Sequence, residues 1–301
     1  MKFLILSIAA AAVMVINTMP VGAWSYPGTG NMGVAIFTQA LPGDPVTSVD
    51  ARTLGLSGAS LASSNGVNGI FYNPANLALG SMKAISLGLY SNHSSEMNLE
   101  EKEYTSSTLY KGPVFGVRIP LSGLRLGFGY RESFDMGYYH EHKEFTEGNA
   151  DTFKTDISGG QKEIIIAAAF RLLGGLHTGF SYNIVGGGIE GASKEIYYET
   201  SRKEKDIERS LSGGFMELGL LYKIDRDLAQ VGFSWSPEYI IEDKWSSDSE
   251  QYTWDSIADD WDTLTETSLE GSRDVKMPST MGLGIQYNFL GLDRTMITAD
   301  V

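Results

Sequence analysis

From Ala84 to Val301 apolar and polar residues alternate with period two. Ile85, Leu87 and Leu89 alternate with Ser86 and Gly88; Phe115, Val117 and Ile119 with Gly116 and Arg118; Leu124, Leu126, Phe128 and Tyr130 with Arg125, Gly127, Gly129 and Arg131. The rhythm returns at Ile164–Phe170, Leu176–Ile184, Met216–Ile224, Ala229–Trp235, Met281–Phe289 and Ile297–Val301. Such alternation predicts about nine strands, each with one apolar face. In each of them Arg, Glu, Lys and His fall on the other parity. A charge on a lipid-facing strand costs about 2–4 kcal/mol at the bilayer midplane, so a face without charge suits lipid. A soluble sandwich also alternates, and the connections separate the two. Pro120–Gly123, Leu172–Gly175, Asp225–Asp227 and Gly291–Asp293 are short, whereas Asn92–Lys111, Glu132–Lys162, Gly187–Gly213 and Pro237–Lys276 are long, polar and charged. Short turns at one end and long loops at the other belong to membrane barrels. The prediction is an all-β fold: a transmembrane antiparallel β-barrel over residues 84–301, with long acidic outer loops. Tyr90, Tyr110, Tyr138, Tyr139, Trp235 and Phe289 near strand ends would form its interface girdles.

Met1–Ala23 adds a route to the cell envelope. Lys2 is a basic start, Phe3–Ile16 an apolar run, and Val21-Gly22-Ala23 a small-residue cleavage site, which together predict a signal peptide. No later stretch is apolar for long enough to cross a membrane as a helix. The chain has 301 residues, a net charge of −14 and no cysteine. That balance argues against nucleic acid as a partner, because phosphate binding needs a basic face. The absence of cysteine excludes disulfides, thiolate metal sites and cysteine nucleophiles.

Between signal and strands, residues 24–83 form a separate N-terminal segment. Leu54–Leu79 is rich in Gly, Ala, Ser and Asn and ends in Phe71-Tyr72-Asn73-Pro74-Ala75. Pro74 fixes its own φ and pushes Asn73 away from helix, so Asn73-Pro74-Ala75 is expected as a rigid turn outside regular structure. On composition alone it is either a surface loop or a segment packed closely on a wall.

Arg52-Thr53-Leu54-Gly55-Leu56-Ser57-Gly58-Ala59 followed by Phe71-Tyr72-Asn73-Pro74-Ala75-Asn76-Leu77 resembles the N-terminal hatch of the FadL/TodX outer-membrane transporters. It is similar also to the related PorV-type barrels. These families carry a Gly/Ala-rich run, a Tyr-Asn-Pro-Ala motif, and then the first barrel strand. The resemblance implies a plugged outer-membrane barrel of a Gram-negative bacterium that passively admits hydrophobic compounds, long-chain fatty acids or aromatic hydrocarbons, without a cofactor or enzymatic turnover. Outer-membrane lipid and lipopolysaccharide would surround it. The alternative is a PorV-like barrel that partners a protein-secretion machine. The resembled barrel has about fourteen strands, and a closed barrel pairs its first strand with its last, so about five more strands are expected past Val301 and the sequence is expected to be truncated there.

In this reading Phe71, Tyr72, Asn73, Pro74 and Ala75 form the gate, with Asn73 reaching wall residues such as Arg125 and the aromatics sealing against Ile165. Arg118, Arg125, Arg131, Ile165, Phe215 and Leu221 fall on the inward parity as candidate lumen contacts. The arginines are expected to pair with hatch carboxylates or Glu163 rather than to steer a ligand. Ile165, Ala167, Phe215 and Leu221 suit either packing on the hatch or a greasy pocket.

Other chemistry is thin. His177 and Ser181 share a strand face, but no third group orients the histidine, so lumen lining is the expectation. Asp255, Asp259, Asp260 and Asp262 gather in the acidic Pro237–Lys276 stretch, but their spacing is not that of a calcium loop. Arg202-Lys203-Glu204-Lys205-Asp206 reads as exposed loop. Gly28-Thr29-Gly30-Asn31-Met32-Gly33 has dinucleotide-fingerprint letters without a preceding strand.

Overall fold

The computed structural model describes residues 44–45, 60–63, 66–98, 103–135, 137–146, 149–197, 200–224, 228–256, 260–288 and 296–300. The signal segment, Gly28–Gly33, Arg52–Ala59 and Asp259 lie outside the described residues. The strands are β1 (Asp44–Pro45), β2 (Ala84–Asn98), β3 (Glu103–Leu121), β4 (Leu124–Asp135), β5 (Tyr138–Thr146), β6 (Asn149–Arg171), β7 (Leu176–Tyr197), β8 (Ser201–Ile224), β9 (Ala229–Ser236), β10 (Tyr239–Asp255), β11 (Asp260–Met277), β12 (Thr280–Asn288) and β13 (Met296–Asp300). All join one antiparallel sheet, whose main path runs β13-β12-β9-β8-β7-β6-β4-β3-β2. Those nine strands are the nine alternating stretches. β2 and β13 end the path without pairing with each other, so among the described residues the barrel wall is open. No helix among the described residues is long and apolar enough to cross a membrane.

The stretches expected as long loops are strands instead. β2–β3, β6 with β4 and β5, β7–β8, and β10–β11 form tall hairpins at one end of the sheet. β5 resumes on β6 where β4 leaves off, and β10 resumes on β8 where β9 leaves off. Pairing of β9 with β12 stops at Ser236↔Thr280, and β10 with β11 starts at Tyr239↔Met277. Pro237 and Pro278 occupy the gap, since proline has no N–H for the ladder. The charge of these hairpins concealed their strand character. Lys194 stands opposite Glu204, and Glu195 opposite Lys203, so the mixed-sign run at Arg202–Asp206 is cross-strand pairing in β8 rather than loop.

At the other end the connections are short. Gly123 (φ 125°) and Gly174 (φ 54°) take left-handed backbone in two of them, a conformation glycine adopts without steric cost.

Face by face, the parity holds. Ile85, Leu87, Leu126, Phe128, Ile166, Phe180, Leu218, Leu220 and Leu283 are exposed on the convex side. Arg118, Glu163, His177, Ser181, Asn183, Gln230 and Gln286 are buried on the concave side. This inversion of a soluble protein is what a lipid solvent requires.

Candidate functional site

Residues 60–63 and 66–83 lie against the concave face. Asn68–Phe71 and Pro74–Leu79 are 3₁₀ helices, so Pro74 and Ala75 open a helical turn rather than standing outside regular structure. A first-turn proline loses nothing, because its N–H would be unsatisfied there in any case. Asn73 stays extended, as expected before proline (φ −154°, ψ 109°). Its Oδ1 accepts from Ala75 N at 3.0 Å. Its Nδ2 donates to Leu61 O at 3.0 Å and to Leu220 O, a wall carbonyl, at 3.1 Å. The expected partner, Arg125, is elsewhere: its Nε donates to Gly80 O at 2.8 Å. The carboxamide offers a donor and an acceptor at once, so one side chain caps the helix and ties it to the wall. Asn73, Ala75, Asn76 and Leu77 are fully buried.

Close approach is made by glycine. Gly179 and Gly219 face each other across β7 and β8. A Cβ at Gly179 would overlap the Pro74–Ala75 peptide, and one at Gly219 the Asn73 carboxamide. Gly127 and Gly129 likewise leave room for Leu77, Ile70 and Phe71. This seat was readable in the sequence as glycine recurring on the inward parity, a signal the hydrophobic pattern alone passes over.

Around the seat Ile70, Phe71 and Leu77 pack with Val114, Ile165, Ala167 and Ala169, with Tyr72 half-buried beside them. Leu221 packs with Ala62, Ala75 and Leu79. Phe71 therefore does meet the Ile165 cluster. Phe215 does not join these groups. It stacks on Tyr239 (centroids 4.4 Å, planes 22° apart), higher in the concavity, beside Ile157, Val185, Ile189, Leu211 and Ile241.

The three inward arginines hold the inner segment by its carbonyl oxygens rather than by hatch carboxylates, and Arg131 also takes the expected partner Glu163. Arg131 Nη1 donates to Phe71 O at 2.8 Å, while Nε and Nη2 hold Glu163 Oε2 at 2.9 and 2.8 Å. Its guanidinium also lies 6.0 Å from the Phe71 ring. Arg118 Nε donates to Met82 O at 3.1 Å. Arg125 Nη1 turns back on Leu121 O and Leu124 O.

The remaining candidates separate. Ser181 Oγ accepts from Asn183 Nδ2 at 3.3 Å, and His177 Nδ1, buried, has no partner among the described residues. Asp255 and Asp260 face each other at the β10–β11 tip beside the edge-on Trp254–Trp261 pair (5.4 Å). No cluster of three metal-ligating side chains forms among the described residues. A different ion group, missed in the sequence because its members lie far apart, stands above Phe215. Asp243 takes Arg209 Nε and Nη2 (3.1 and 2.5 Å) and Arg273 Nε (2.9 Å). Burial pushes the Asp243 carboxyl up, but hydrogen bonds and charge from Arg209, then Arg273, hold it below the usual carboxylate value.

The site is thus a glycine-seated inner segment inside an antiparallel wall with an apolar outer face. The BamG family model matches residues 46–295. The chain belongs to the BamG family. No curated protein matches it. Among solved structures, this BamG-family chain is similar to the Pseudomonas putida toluene transporter TodX (14% identity, TM-score 0.56, 82% of this chain and 68% of that one). It is similar also to the Ralstonia pickettii toluene transporter TbuX (15%, 0.54, 81% and 69%) and to the CymD monoaromatic hydrocarbon channel (14%, 0.53, 85% and 68%). At these identities the likeness is one of fold: an antiparallel β-barrel wall.

Proposed function

We propose that the chain works in the outer membrane of a Gram-negative bacterium as a plugged β-barrel through which hydrophobic compounds pass without a cofactor. The observation that carries this reading is the seat itself: Asn73, Ala75 and Leu77 fully buried against Gly179, Gly219 and Gly127, inside a wall whose other face is apolar. The solved neighbours that share this wall are transporters and channels of monoaromatic hydrocarbons, which supports a small apolar cargo. Phe71, Tyr72, Asn73, Pro74 and Ala75 act as the gate, and Ile165 and Leu221 are covered until it moves. Arg118, Arg125 and Arg131 anchor the gate rather than read the cargo. The wall carries its own ladder, so Asn73→Ala with Pro74→Ala should leave insertion intact and change uptake of labelled toluene or a fatty acid by cells lacking their own transporter. Unchanged uptake at matched expression overturns the gating role.

A second reading keeps the seat shut and uses the barrel as a partner in protein secretion. The tightness of the seat favours it, as do the tall, ion-paired hairpins, which offer a large ordered surface. Under that reading the double variant leaves uptake at background, and deleting the β10–β11 hairpin (residues 239–277) abolishes retention of secreted proteins.

A further inference from the structure

Beneath the inner segment, at the short-turn end, lies a cavity of about 820 Å³. Arg125, Arg171, His177 and Lys223 line it, together with Ala78, Leu79 and the turn glycines Gly123, Gly174 and Gly175. Among the described residues no carboxylate lines it. In a chain of net charge −14 that is a local reversal of sign. It follows from register: all four basic residues are on the inward parity, and Arg171 stands directly opposite His177.

The arginines sort the same way. Arg131 holds Glu163, Arg202 holds Glu204, and Arg209 and Arg273 hold Asp243. Arg118, Arg125 and Arg171, all at the short-turn end, hydrogen-bond to backbone carbonyls alone among the described residues. Among the described residues Arg171 bonds through Nε alone, on Gly174 O at 2.6 Å, so both terminal nitrogens can face a ligand. Arg125 keeps Nη2. His177 is 7% exposed, and its Nδ1 has no partner among the described residues. A buried ring nitrogen without a partner is costly, and as an N–H donor it is satisfied by an oxyanion that the neighbouring guanidinium groups also hold.

We infer that this cavity is a binding site for a small oxyanion, a carboxylate or phosphate, held by Arg171, Arg125 and His177 with Lys223 adding charge. Guanidinium groups take such anions through paired N–H donors. Two sources share this chemistry. One is a free anion entering from the short-turn side. The other is the head group of an amphiphile whose chain lies along Ala78 and Leu79. The site does not depend on the transport reading: an anion bound without any uptake leaves it standing.

The test uses the purified chain in neutral detergent, with imidazole NMR signals of His177 assigned through His177→Gln. Inorganic phosphate, acetate and octanoate are titrated at constant ionic strength, with octanol as the neutral control. At least one of the three anions should shift His177 saturably, and Arg171→Gln combined with Lys223→Gln should weaken that binding by about tenfold or more. Octanoate binding about tenfold tighter than acetate, with octanol silent, assigns the site to an amphiphile head; equal binding of the small anions assigns it to a free anion. Arg171→Lys, which keeps the charge and is less disruptive, should retain partial binding if the glutamine variant does not fold. Absence of a saturable shift with all three anions, or equal affinity in parent and variants, overturns the inference.

Discussion

In the lower part of β8, Met216, Leu218, Leu220 and Tyr222 face out and are exposed, while Gly219 and Leu221 are buried inside. In the upper part of the same strand Asp206, Glu208, Ser210 and Ser212 face out, while Ile207, Arg209 and Leu211 are buried inside. β7 changes at the same height, from Phe180, Tyr182 and Ile184 outside to Val185 and Ile189 inside. The backbone ladder runs through the change without a break. What differs is the solvent. Below the boundary the outer face meets lipid and the inner face meets backbone of Leu61–Ala62 and Pro74–Ala75, so small residues line the inside. Above it the outer face meets water, and apolar side chains turn inward as in an ordinary sheet.

The largest expected effect lies in the upper region. Asp243 is fully buried between two arginines, one of them, Arg209, buried with it. Asp243→Ala leaves that guanidinium without its anion, at a cost of about 3–5 kcal/mol. Hydrogen exchange should speed up in the upper halves of β8, β10 and β11 and stay slow in the lower band. Equal acceleration in both would mean that the two regions are one cooperative unit.

The next effect tests the boundary from outside. Leu218→Arg puts a charge on the lipid face and should cost about 2–4 kcal/mol, whereas Ser210→Arg, on the same parity in water, should stay within about 0.5 kcal/mol. Urea titration of the chain folded in vesicles measures both. A similar cost at the two positions would remove the lipid boundary from this strand.

The division was only half visible in the sequence. Lower strands were legible because lipid imposes one rule on every outward residue, and period two then reports it without noise. Upper strands were not, because water tolerates Lys203, Glu204 and Lys205 equally well in strand or loop, and only their partners Ser193, Lys194 and Glu195 across β7 distinguish the two. The motif residues Asn73 and Pro74 stood out through their backbone chemistry. Their true contacts did not: Asn73 meets a main-chain oxygen of Leu220, which carries no sequence signature, and the arginines likewise bind carbonyls of Phe71, Gly80 and Met82. Parity puts Phe215 on the inward side but says nothing about height, and the side chain sits with Tyr239 above the boundary.

A third, smaller effect tests the inside of the lower region. Gly179→Val adds atoms where the Pro74–Ala75 peptide lies and should cost about 1–3 kcal/mol through overpacking. The wall can keep its ladder and expel the inner segment instead. Protease cleavage within residues 60–83 should therefore rise while heat-modifiable migration on gels is retained. Gly188→Val, in the upper half of the same strand, where a Cβ would meet only Arg209 O at an ordinary contact of 3.7 Å, is the matched control.

The smallest effect distinguishes how the two regions are held. The Asn73 amide has no titratable group, so its bonds to Leu61 and Leu220 give no step with pH. Asp243 does titrate. Its folded value lies below the ordinary 3.8, so its contribution to stability is fully present above that value and is lost as pH falls through the folded one. Trp245 is a suitable reporter, since it stands opposite Arg209 in register and rests on Gly271. Fluorine NMR of labelled Trp245 should be flat from neutral pH to about pH 4 and should change below the ordinary carboxylate value. Asp243→Asn should remove that acid step because the side chain can no longer gain a proton. A step that persists in Asp243→Asn would assign the acid sensitivity to another carboxylate and leave Asp243 as a contact of geometry rather than of charge.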